Sequence, residues 1–156
     1  MSIMTFHSER TRRRPISNLW SGVLFGFGLI AFIDEVIFHQ LLHWHHFYDK
    51  SSTEAGLISD GLFHAFSWFA TIASSFMLAE LKRNYIFQLQ RWCGGLFLGS
   101  GIFQLYDGTI QHKLMKLHQI RYNVDSLPYD VVWNITAVLL IVIGTIVTAR
   151  THNKSR

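Results

Sequence analysis

The chain has 156 residues and a formal net charge of +4; 49% of it is apolar and only 15% is charged. A basic balance can signal a nucleic-acid partner, but here the lysines and arginines lie between long hydrophobic blocks, where a membrane protein keeps them, so no nucleic-acid partner is expected. The single cysteine, Cys93, excludes an internal disulfide and a cysteine-built metal knuckle.

The first block, Leu19–Leu42, follows Arg12, Arg13 and Arg14. It is much longer than the ~7–15 apolar residues of a secretory signal, so it reads as a retained helix rather than a cleaved leader or a twin-arginine signal. It carries Gly22, Gly26 and Gly28, and then Asp34, His39 and His45 at and beyond its far end. The second block, Gly56–Leu81, brings Asp60 and His64 near its start. The third, Trp92–Met115, repeats the first at an offset of 73: Gly95, Gly99 and Gly101, then Asp107, His112 and His118. The fourth, Val131–Ala149, is the most uniformly apolar, and Asp130 and Asn134 at its start weakly echo Asp60 and His64. Each block is about the twenty residues that a helix needs to cross ~30 Å of hydrocarbon. Backbone groups in lipid must bond within their own segment, which makes all four helical. The expected fold is therefore an all-α, integral membrane four-helix bundle built from two repeated helix pairs. Residues 1–18 form a basic cytoplasmic segment, 19–149 the four-helix domain, and 150–156 a cytoplasmic tail.

Orientation follows from the basic residues. Ten (Arg10, Arg12, Arg13, Arg14, Lys82, Arg83, Arg91, Arg150, Lys154 and Arg156) fall on the side of the termini, against Lys50, Lys113, Lys116 and Arg121 opposite. That asymmetry predicts both termini inside. Seven histidines, His39, His43, His45, His46, His64, His112 and His118, then gather toward the outer face with most of the carboxylates.

The pattern Asp-x4-His-x5-His occurs twice, and it constrains the geometry. Along an unbroken α-helix Asp34 and His45 share a stripe but lie ~16 Å apart, while His39 is rotated ~140° from Asp34. A common site therefore needs residues from different helices, or a helix that breaks near His43. The glycines read as close-packing positions for helices in lipid. Neutral imidazole with carboxylate is a ligand set for zinc, iron, manganese or cupric copper. The predicted ligands are His39, His64 and His112. Asp34, Asp60 and Asp107 serve as ligands or as acceptors that orient the rings, and His45 and His118 sit closer to water. His43, His46 and Asp49 read as solvated residues of the interface. Two alternatives stand beside a metal site: a non-enzymatic accessory subunit of a larger membrane complex or a homo-oligomer, and a haem protein with two axial histidines. The carboxylates count against haem.

The run from Asp34 to His46, with Asp60 to His64 and Asp107 to His118, resembles a family of predicted bacterial membrane proteins known as domain of unknown function 2243. That resemblance covers nearly everything from Gly22 to the end of the fourth helix. It implies four helices in a bacterial inner membrane and supplies no activity. Glu35 stands where the family pattern has glycine, which implies an extra carboxylate near this chain's site.

Overall fold

The computed structural model describes the backbone of residues 3–153 and the side chains of residues 16–151, and all the regular structure there is helical. Helix α1 (Ile3–Asp34) runs directly into a π-helical segment, π1 (Glu35–Leu41). Helix α2 is Thr53–Arg83; α3 (Leu89–Tyr106) runs into a second π segment, π2 (Asp107–Leu114); and α4 is Leu127–Asn153. The basic side chains at Arg10, Arg12, Arg13, Arg14, Lys154 and Arg156 lie outside the described residues.

Local chemistry sets the ends of these elements. Ser52 caps α2, its hydroxyl accepting from the Ala55 N–H, with Glu54 in the first turn and Lys82 and Arg83 in the last. This charge order suits the helix dipole. The connection from α2 to α3 is pinned by the buried Asn18 of α1. Its amide donates to the Ile86 carbonyl (2.9 Å) and accepts from the Gln88 N–H (2.7 Å).

Three stretches, Ile16–Leu41, Thr53–Arg83 and Leu127–Thr151, are long and apolar enough to cross a bilayer. The third helix was expected to qualify too, and it does not. Continuous with π2 it is long enough but not apolar enough, and the buried positions of α3 are Gly94, Gly95, Gly99, Ser100, Gly101, Phe103 and Gln104. The reason is its place: α3 packs against α1 on one side and α4 on the other, while α2 packs on α1. A helix between two neighbours needs small faces more than greasy ones. A methyl group on Gly26 would stand 2.0 Å from the Leu96 carbonyl oxygen, and one on Gly99 2.0 Å from that of Val23. Only glycine permits this central crossing.

Burial runs opposite to that of a soluble bundle. The buried stripe of α2 is Gly56, Asp60, Phe63, Ser67, Ala70, Ser74 and Leu81, small or polar apart from Phe63 and Leu81. Leu57, Leu62, Phe66, Phe69 and Phe76 are exposed on the same helix, as are Val132, Ile135, Leu139 and Ile146 on α4. Apolar side chains directed outward suit hydrocarbon as the solvent.

Candidate metal centre

The polar core lies at the end of the molecule opposite the α2–α3 connection, among π1, π2 and the loops that follow them. An i→i+5 ladder carries residues five apart to the same side of the helix. This is what joins each aspartate to its histidine. His39 Nε2 lies 3.9 Å from Asp34 Oδ2, and His112 Nε2 lies 3.1 Å from Asp107 Oδ2. The same winding lets Gln40 donate to Glu35 (2.7 Å).

Each π segment ends the same way. The N–H of Leu42 bonds to the Ile37 carbonyl and that of Trp44 to Phe38; Met115 and Leu117 repeat this with Ile110 and Gln111. The residue between, His43 or Lys116, takes φ of 51°. That left-handed position, costly for a side chain with a Cβ, reverses the chain. His45 and His118 are thereby folded back beneath the π segments. The helix does break near His43, and its counterpart breaks at Lys116.

The returning histidines are held crosswise. His45 Nδ1 lies 2.9 Å from the Ile120 carbonyl oxygen, and His118 Nδ1 lies 2.9 Å from that of Phe47. A carbonyl only accepts, so both Nδ1 atoms carry the proton and both Nε2 atoms present a lone pair. Those Nε2 atoms are buried without a hydrogen-bond partner. The two rings stack at 4.5 Å with 4° between their planes. His39 stands edge-on to His45 at 4.5 Å, and His112 edge-on to His118 at 4.6 Å. Burial pushes the His118 imidazole down to about 4. Burial, with the rings of His118, His39 and His112 close by, also lowers His45 far below the ordinary histidine range. Both are neutral at pH 7, the form that binds metal.

Carboxylates stand behind the outer rings. His39 Nδ1 is 2.8 Å from Glu35 Oε2 and 3.2 Å from Asp60 Oδ1. His112 Nδ1 is 3.7 Å from Asp130 Oδ1, and the other oxygen of Asp130 pairs with Lys113. Asp60 also anchors the loop after π1, accepting from His46 Nδ1 (2.6 Å) and the Phe47 N–H (2.7 Å). Donor atoms of Asp34, His39 and His45 lie within 4.8 Å of one another; so do those of His45, His112 and His118, and of Glu35, His39 and Asp60. A cavity of about 540 Å³, lined by His43, Trp44, His45, His46, Asp49, Arg121, Tyr122 and Asn123, adjoins His45 on the loop side.

Of the ligands expected from sequence, Asp34, His39, His45, Asp60, Asp107, His112 and His118 come together and are buried. His64 does not join them: it is half-exposed and packs against Phe32 at 5.6 Å. Glu35 belongs to the cluster, as its departure from the family pattern suggested. His46, read as an interfacial residue, is the hydrogen-bond partner of Asp60. No spacing marks that role, because the loop that carries it has no period.

A helical chain with three apolar spans, lipid-type outer faces and a polar interior is a membrane protein. This one belongs to the family of predicted membrane proteins, domain of unknown function 2243, whose model matches residues 21–151. No curated protein and no solved structure matches it.

Proposed function

We propose that this protein binds divalent transition metal through its buried histidine and aspartate cluster, on the periplasmic or extracellular side of a bacterial inner membrane. One observation carries the reading: the Nε2 lone pairs of His45 and His118 are buried, unpartnered and fixed by carbonyls behind them. A metal-bound imidazole is oriented in just this way by a partner on its other nitrogen. Buried polar atoms without partners are costly, and an ion satisfies several at once. The orientation, with both termini cytoplasmic, rests on the excess of lysine and arginine beside them. The recurrence of contacts 73 residues apart supports two repeated helix pairs about an axis along the membrane normal. Zinc, iron and copper all suit such donors, and redox, hydrolytic or metal-handling roles follow from which ion is held. Stacking of the His45 and His118 rings leaves no slot between them for a porphyrin, which favours an ion over haem.

Elemental analysis of gently purified protein tests this. Stoichiometric metal is expected, reduced on His45→Ala, His112→Ala or His118→Ala and retained in full on His64→Ala. Freshly prepared protein without metal, unaltered by any of these changes, would defeat the proposal.

A further inference from the structure

We infer that the cluster holds two metal ions in unequal positions, and that the position beside Glu35 fills first. The inference rests on the metal-binding reading and goes beyond it in number and order. One position is bounded by Asp34, His39 and His45, a donor atom of each lying within 4.8 Å of the others. The second is bounded by His112 and His118, whose donors lie within 4.8 Å of each other and of one on His45, and by Asp107, whose two carboxylate oxygens lie 3.1 and 3.7 Å from the Nε2 atoms of His112 and His118; His45 thus adjoins both positions. Each is a set of two imidazoles and one carboxylate, which leaves further coordination places open on an ion.

The two positions differ behind the outer imidazole. Two carboxylates, Glu35 and Asp60, face His39 Nδ1. On the other side only Asp130 faces His112 Nδ1, at a longer distance, and Lys113 neutralises it. No carboxylate matches Glu35 there, because residue 108 is glycine. A methyl group on it would meet Trp133 at 2.7 Å and Asn134 at 2.8 Å, so the place is taken by an indole and a neutral amide. Carboxylates behind an imidazole raise its basicity, and losing such a partner lowers metal affinity by about 10–100-fold. The negative charge of Glu35 and Asp60, which unlike that of Asp130 meets no lysine among the described residues, favours the first position further.

Titrating metal-free, detergent-solubilised full-length protein with cobalt(II), read by its visible absorption and by calorimetry, tests the inference. Two equivalents are expected, in two steps separated by about 10–100-fold in affinity. Glu35→Gln should weaken the first step by about that factor and leave the second in place. Lys113→Gln, at an exposed side chain, should tighten the second step roughly tenfold by freeing Asp130. A single equivalent, two indistinguishable steps, or a Lys113→Gln protein with an unchanged second step overturns the inference. One equivalent would leave metal binding itself standing, whereas no bound cobalt at all would remove both proposals.

Discussion

Asp60 shows how much one buried carboxylate organises. It accepts from a ring N–H and a backbone N–H of the loop after π1 and faces His39 of π1 itself. Truncating it leaves His46 Nδ1 and the Phe47 N–H without their acceptor and frees the loop. Breaking a buried pair of this kind costs about 3–5 kcal/mol. Asp60→Ala should therefore lower stability by that amount in denaturant titration of the detergent-solubilised protein, while Asp49→Ala, at a half-buried loop position, should cost far less. At this scale the sequence was a good guide to composition and a poorer one to place. Asp60 and His64 of the second block were both expected at the site. The buried stripe of α2 steps from Asp60 to Phe63 and Ser67, however, and His64 falls beside it. A single aromatic in the stripe decided the matter, and its identity gives no warning of that.

At the scale of the element, the twice-repeated Asp-x4-His spacing was visible, but an ideal α-helix turns the pair ~140° apart. Nothing in composition announces a π ladder. The five-residue spacing itself was the sign, for it matches the i→i+5 hydrogen bond of a π-helix. The glycines were legible because a close crossing in lipid has few other solutions. They allow a contrasting pair of predictions. Gly99→Ala puts a methyl group 2.0 Å from the Val23 carbonyl oxygen and must push α1 and α3 apart, at a cost of at least ~1–3 kcal/mol. Gly61→Ala, with nothing within 4 Å of the new methyl, should instead gain about 0.5–1 kcal/mol from helix propensity. Unfolding of the two variants in the same detergent checks both signs.

For the whole molecule, the four blocks and their short connections were readable from hydropathy, since lipid permits only helices or closed barrels. What hydropathy misjudged was α3, whose neighbours shield it from lipid and relieve it of the need to be apolar throughout. The proposed orientation has its own test. With Cys93 replaced by serine, a cysteine at Ser51 or Asn123, both exposed loop positions, should react with a membrane-impermeant maleimide on intact cells. A cysteine at Tyr85, 96% exposed at the other end, should react only after permeabilisation. The reverse pattern would place the histidines in the cytoplasm.

The crosswise bonds of His45 to Ile120 and of His118 to Phe47 carry a consequence for how the protein is made. His45 is translated early, but the carbonyl that sets its tautomer arrives 75 residues later. During synthesis the first half therefore emerges with its donors unordered, and it becomes a finished site only when the second half is inserted beside it. Each half supplies the carbonyl that orients the other's imidazole. The nascent chain is thus kept from assembling the complete centre before its insertion is nearly done.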